Sequence, residues 1–182
     1  MTAAQEDLVR EETNSPAFPA RLDTPTVEDG AAIWRIARDS QALDLNSSYS
    51  YLLWCRDFAR TSVVARDDSG EPVGFVTGYV RPERPETLVV WQVAVDYAYR
   101  GRGLAAFMLD GLTERVASLG VRQVETTITP SNEASNRLFT SYGKRHGADV
   151  SREVLFHGGL FPDGHDPEVL YRIGPLAAAA AA

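Results

Sequence analysis

The stretch TLVVWQVAV, residues 87–95, limits the fold of this chain more than any other. It is almost continuously apolar and rich in β-branched side chains. A half-exposed strand alternates apolar with polar residues, so a run of this kind asks for cover on both faces of its sheet. The run leads through DYAYRGRG directly into GLAAFMLDGLTERVASLG. The spacing of that last segment is helical, and Gly120 supplies its stop. A buried strand, a glycine-rich turn and a helix therefore follow one another without a linker.

The flanking segments fill out a mixed architecture. ARLDTPT supplies a short strand, and TVEDGAAIWRIARDS a helix, with Thr26 and Asp29 spaced as a capping box. LDLNSSYSYLLWCRDF begins as a polar loop and becomes a second helix near Ser47 or Ser48. TSVVAR, the turn DDSGEP and VGFVTGYV form a hairpin, and RPERPE reads as a second turn. VRQVETTIT is an alternating strand. SNEASNRLFTSYGKRHG is an amphipathic helix capped by Ser131 or Asn132, and SREVLFHGG and VLYRIG close the pattern as strands. The order β-αα-βββ-α-β-α-ββ predicts an α/β (α+β) fold, a mixed sheet with helices on both faces. With 44% hydrophobic residues in 182, one domain with a full core is expected over 20–175. Residues 1–19 read as a polar tail and 176–182 as an Ala-rich one.

Composition removes several functions. A net charge of −7 argues against nucleic-acid affinity and is compatible with a cationic substrate. No apolar run reaches membrane-spanning length, and the N-terminus lacks the pattern of a signal peptide. The single cysteine, Cys55, lies in an apolar helical pattern and reads as core, which fits a reducing cytoplasm. His146, His157 and His165 have no partners at metal-ligand spacing, so no metal is expected.

The loop Arg100-Gly101-Arg102-Gly103 has two readings. It is a tight turn with solvated arginines, or it cradles an anion. In the second reading, unpaired N–H groups and the helix dipole face the ligand, and the glycines let backbone approach it. The loop lacks both G-x-G-x-x-G and the Lys-Ser/Thr of a P-loop. It does carry R-x-x-G-x-A, as Arg100, Gly103 and Ala105.

QVAVDYAYRGRGLAAFML resembles the acetyl-CoA motif of the GNAT N-acetyltransferases, and TPSNEASNRLF resembles the later motif of that family. The resemblance implies the GNAT acyl-CoA N-acyltransferase fold, with a central mixed, mostly antiparallel sheet. It implies acetyl-CoA as cosubstrate, with the backbone of Val93 and Val95 pairing with the pantetheine arm. The amides of Arg100, Gly101, Arg102, Gly103, Leu104 and Ala105 would hold the pyrophosphate. Asn132 and Asn136 would contact the cofactor near the pantetheine. One departure stands out. Many members carry a general-acid Tyr in the Leu-Tyr pair of the later motif, and here that pair is Leu138-Phe139; Tyr142 lies three residues beyond.

Three further segments, LDLNSSYSY, the pair Trp91-Gln92, and HGGLFPDGHDPEVLYRIGP, point to the acceptor. With the motifs above they resemble one branch of the family, the L-2,4-diaminobutyrate Nγ-acetyltransferases of ectoine synthesis. The resemblance implies direct acetyl transfer to a γ-amine, a homodimer and a cytoplasmic location, in service of osmoprotection. The amine must lose its proton before attack, and a backbone N–H near Gln92 or Val93 would meet the oxyanion. Asp44 and Glu168 are the candidates for amine contact or proton acceptance, with Tyr49 as a further catalytic candidate. Asn46, Tyr49, Trp91, Gln92 and His165 would shape the acceptor site. Acetylation of another diamine, acetylation of a protein or peptide amine, and a non-catalytic acyl-CoA-binding module remain the alternatives.

Overall fold

The structure, a computed structural model, describes residues 20–177. The tail expected over 1–19 and most of that expected over 176–182 lie outside the described residues. The elements follow the expected order: β1 (Arg21–Asp23), α1 (Gly30–Ser40), α2 (Ser48–Asp57), β2 (Val63–Arg66), β3 (Pro72–Arg81), β4 (Arg84–Val95), α3 (Leu104–Ala117), β5 (Gln123–Ile128), α4 (Glu133–Arg145), β6 (Asp149–Phe156) and β7 (Glu168–Gly174). Among the described residues no helix is long and apolar enough to cross a membrane.

The strands form one seven-stranded sheet in the order β1-β2-β3-β4-β5-β7-β6. Only β4 and β5 run parallel; every other pair is antiparallel. On one face, Ile33, Ile36, Tyr51 and Cys55 of α1 and α2 pack with Phe75 and Ala94. On the other, Met108, Leu112, Phe139 and Tyr142 of α3 and α4 pack with Val76, Leu88, Val90 and Ile173. Cover on both faces is what the unbroken apolar run of β4 required. Cys55 is buried there, and burial pushes its thiol up to about 11, so it behaves as a core residue.

RPERPE is not a turn along its whole length. Arg81 ends β3 and Arg84 begins β4, which leaves Pro82-Glu83 as the turn. Strand pairing with β3 has absorbed Arg84, Pro85 and Glu86, which local composition assigned to the turn.

Two irregularities in β4 prepare the site. Thr77 pairs with Gln92 and Gly78 with Val90, so Trp91 is an extra residue, a β-bulge. A bulge flips the faces of everything after it. Leu88 and Val90 point into the α3 side; beyond Trp91, Ala94 packs on the α1–α2 side, and Val93 and Val95 pack toward α3. The second irregularity is a split. β4 pairs with β5 only from Thr87–Gln123 to Val89–Glu125, and then the two strands part.

A buried ion pair ties the start of α1 to β2. The Arg66 guanidinium donates both Nη1 and Nη2 to the Asp29 carboxylate at 2.8 Å, and the Thr26 N–H donates to the same group at 2.8 Å. Burial opposes the charge, but Arg66 and Thr26 hold the Asp29 carboxyl below its usual range. The stabilisation is therefore present at neutral pH and lost as pH falls through the lowered folded value. Asp29→Ala would leave Arg66 without its main partner and remove the cap. Urea unfolding at pH 7 should show a loss of about 3 kcal/mol. A loss below about 0.5 kcal/mol would mean that the pair contributes no more than an exposed one.

Candidate active site

The split between β4 and β5 is lined by two adjoining cavities, about 590 and 380 Å³, which share Ala42, Leu43 and Asn132. The smaller runs from the second half of β4 along the Arg100–Gly103 loop to the first turn of α3. The Asp96 N–H donates to the Val73 carbonyl at 2.8 Å, which makes that pair a hydrogen-bonded one. In an antiparallel ladder such pairs alternate. The backbone groups of Val93 and Val95 therefore point away from β3, toward the split, as the carbonyl of Val95 does when it accepts from Arg100 Nε at 3.0 Å. Gly101 and Gly103 have φ of 74° and 83°, the left-handed region that a glycine enters freely. Gly103 is the N-cap of α3, so the unpaired N–H groups of the first turn open onto this cavity.

Arg100, Gly101, Gly103, Leu104 and Ala105 all line the smaller cavity. The Arg102 side chain does not; it lies over the Tyr99 ring, beside the Asp67–Ser69 turn on the other side of the loop. Asn132 caps α4, its Oδ1 accepting the Ser135 N–H at 3.1 Å, and it lines both cavities. Asn136 lines neither. Its Nδ2 donates to the Asn132 carbonyl at 2.9 Å, and its Oδ1 accepts from the Tyr171 hydroxyl, so its amide is engaged in anchoring α4 to β7. Phe139 and Tyr142 are both core residues. Burial pushes the Tyr142 phenol up to about 12, and it lines neither cavity, so it does not take over the role of the motif tyrosine.

The larger cavity lies over β5 and β7 and holds Asp44, Asn46, Trp91, Gln92 and Glu168. Gln92 anchors it: Oε1 accepts from the Tyr51 hydroxyl at 3.0 Å, and Nε2 donates to the Asp44 carbonyl at 2.8 Å. The Asp44 carboxylate in turn meets His165 Nε2 at 2.9 Å, and His165 lies 3.7 Å from Glu168 Oε1. One ligand atom from each of Asp44, His165 and Glu168 falls within 4.8 Å of the others. The Asp44 side chain is 82% exposed and that of Glu168 17%. His165 itself stands behind the two carboxylates, against the Phe161 ring.

Hydrogen bonding to the Asp166 carbonyl and to Asp44 raises His165 and favours its charged form. Burial raises Glu168, against the opposite pull of Thr127 and His165. Its Oε2 is buried and has no hydrogen-bond partner among the described residues. Two carboxyl groups beside one imidazole form an acidic set with an unused acceptor. Such a set can hold a divalent cation or an ammonium group, and it can take up a proton.

Tyr49 is not part of this cluster. It is 65% exposed on α2, whereas Tyr51, two residues on and about 200° around the helix, is the tyrosine that turns inward. Sequence reading also passed over Arg81, Glu125 and Arg172, which line the larger cavity. The signal was present: Glu125 is a carboxylate in the middle of a predicted strand, between Val124 and Thr126, where a buried acidic side chain needs a partner.

The Acetyltransferase (GNAT) family model matches residues 29–143. The chain is 69% identical over 179 residues to the L-2,4-diaminobutyric acid acetyltransferase of Streptomyces avermitilis, covering 97% of this chain and 99% of that protein. It is 67% identical to the protein of the same name from Streptomyces anulatus, with the same coverage. Among solved structures, it resembles the diaminobutyrate acetyltransferase of Paenibacillus lautus in complex with its substrate L-2,4-diaminobutyric acid and coenzyme A. The TM-score is 0.82 at 40% identity, over 89% of this chain and 98% of that one. The split sheet with its bulged central strand, the glycine loop opening α3 and the matches themselves agree: this chain belongs to the GNAT acetyltransferase family.

Proposed function

We propose that this chain transfers the acetyl group of acetyl-CoA to the γ-amine of L-2,4-diaminobutyrate, giving N4-acetyl-L-2,4-diaminobutyrate, the acetylation step of ectoine synthesis. One observation carries the reading: the anion-cradling cavity and the carboxylate-lined cavity meet at Ala42, Leu43 and Asn132. An acyl-CoA held in the first presents its thioester to an amine held in the second. The acceptor comes from the relatives, whose names specify diaminobutyrate at up to 69% identity. Residues 20–175 act as one catalytic domain, at work in the cytoplasm for osmoprotection. The chain acts as a homodimer, a reading supported by the exposed apolar row Val154, Leu155 and Phe156 on the sheet-edge strand β6.

The pantetheine arm pairs with the open backbone of Val93 and Val95 as an added strand. The amides from Arg100 to Ala105 receive the pyrophosphate, Arg102 through its backbone only, and Asn132 borders the thioester end. Glu168 accepts the ammonium proton; burial has raised its proton affinity toward what a general base at neutral pH requires. His165, bonded to Asp44 and close to Glu168, orients the two carboxylates, and Asp44 adds a second negative contact for the γ-ammonium, with Asn46 and Trp91 shaping the wall. The neutral amine attacks the thioester carbonyl directly. The oxyanion meets the Val93 N–H rather than that of Gln92, because the Gln92 amide points to β3 in the ladder. The C–S bond then breaks and the thiolate leaves.

A free-thiol assay over L-2,4-diaminobutyrate, spermidine and a peptide amine, with the product position read by NMR, tests the reading. Diaminobutyrate should be preferred and acetylated at the γ-nitrogen. Turnover of the peptide or spermidine in its place would overturn it. Glu168→Gln should lower kcat by about 100-fold or more while coenzyme A affinity stays within about twofold. In the unaltered enzyme the acidic limb of kcat/KM should lie above the ordinary glutamate range, because Glu168 must be ionised and its proton is held more tightly than usual. A variant as active as the parent would remove Glu168 from the mechanism. Gly103→Val forces a β-branched residue into a positive φ at the head of α3. Calorimetry should register coenzyme A binding at least about tenfold weaker, since strain of more than about 1.4 kcal/mol suffices for that.

A further inference from the structure

The larger cavity has a second charged end that the acetyl-transfer chemistry does not use. Glu125 forms part of its wall, on β5, with only 3% of its side chain exposed. Arg81, at the end of β3, donates Nη1 to Glu125 Oε2 at 2.9 Å. Arg172, on β7, donates Nε to Glu125 Oε1 at 3.1 Å and Nη2 to Glu153 at 2.7 Å. Arg172 is thus divided between two carboxylates. Arg81 is different: its side chain is 38% exposed, it lines the cavity, and Glu125 is its one ion-pair partner among the described residues. The rest of its guanidinium fork remains available, and that fork matches a carboxylate in shape and charge.

We propose that Arg81 anchors the carboxylate of the acceptor, with Glu125 and Arg172 as the residues that position it. This rests on the reading of the chain as a diaminobutyrate acetyltransferase and deepens it. The cavity is bipolar. Asp44 and Glu168 make one end negative; at the other, Glu125 and Glu153 share Arg172, and the free part of the Arg81 fork is the cationic point that faces the cavity. Glu168 and Arg172 lie four residues apart on β7, and the guanidiniums gather over Glu125, which pairs with Arg172 across the sheet. Four residues of strand span about 13 Å. An acceptor about 5 Å long, with a contact of about 3 Å at each end, needs roughly 11 Å between the groups that hold it. The ligand that fits carries a terminal amine at one end and a carboxylate, with the α-amine beside it, at the other. It is a short diamino acid rather than a simple diamine. A structural ion-pair network alone would not favour one over the other.

The experiment compares kcat/KM for L-2,4-diaminobutyrate and for 1,3-diaminopropane, its decarboxylated counterpart, in the parent enzyme, Arg81→Met and Arg81→Lys. Arg81→Met should raise KM for diaminobutyrate about 100-fold with little change in kcat. The preference for diaminobutyrate over diaminopropane should collapse by a similar factor, and Arg81→Lys should restore part of it by retaining the charge. Coenzyme A affinity serves as the folding control. An equal loss on both substrates, or no loss on either, would overturn the proposal. A parent enzyme that leaves diaminobutyrate unacetylated would overturn the functional reading itself, and the anchor with it.

Discussion

Strands β4 and β5 stop pairing after Val89 and Glu125, and nearly every functional feature depends on that parting. An open edge inside a sheet is unfavourable, because backbone N–H and C=O groups need partners and an exposed row of them recruits whatever strand is at hand. Here the open row belongs to Val93 and Val95, and it ends where the glycine loop turns into α3. In the proposed function an extended ligand with alternating amides completes the sheet at that point, and its anionic end reaches the helix N-terminus without any further binding element. The same divergence leaves room on the opposite face of β5 and β7 for an acceptor.

The bulge at Trp91 registers one cavity against the other. Without the extra residue, Gln92 would point into the α3 core, where its amide would have no partner. With it, Gln92 faces α2 and the α1–α2 loop and ties Asp44 to the central strand through a backbone carbonyl. Asp44 passes the constraint on to His165, more than a hundred residues away in sequence. A single amide therefore fixes the distance between the open backbone of β4 and the carboxylates of the acceptor cavity. In the proposed mechanism that distance is the one between thioester and amine.

The fold was legible because its signals are local: helical spacing in α1, α3 and α4, stops at Gly120, and a strand too apolar for a one-sided sheet. The glycine loop and Asn132 were legible for the same reason, since each is a backbone device written in a few adjacent residues. What escaped depended on direction. The segment 43–51 offered two tyrosines, and only the helix phase of α2 separates the exposed Tyr49 from the buried Tyr51. Asn136 lies one turn from Asn132, yet Tyr171 of a distant strand claims its amide. Arg102 sits inside the cofactor loop but turns its side chain outward. The Arg81–Glu125–Arg172 group joins β3, β5 and β7, and no window of sequence contains it.

The placement of ionisable groups follows from which proton is harder to move. A primary amine with a pKa of about 10.4 must lose a proton some 3.4 units above pH 7, at about 4.6 kcal/mol. An alkyl thiol with a pKa of about 8.5 leaves as thiolate at only about 2 kcal/mol. A site with a strong base and no acid therefore loses less than one with an acid and no base. The described residues follow that order. The carboxylates and the imidazole gather at the amine end, around a glutamate whose proton affinity burial has raised. At the position where the family motif supplies a phenol, this chain has a phenyl ring packed in the core, and the nearest tyrosine on α4 is buried as well. Under the proposed mechanism the Phe139 departure is removal of the less demanding of two proton transfers, and the sequence from 130 to 139 still supplies the cap at Asn132 and the apolar wall at Leu138 that line the smaller cavity.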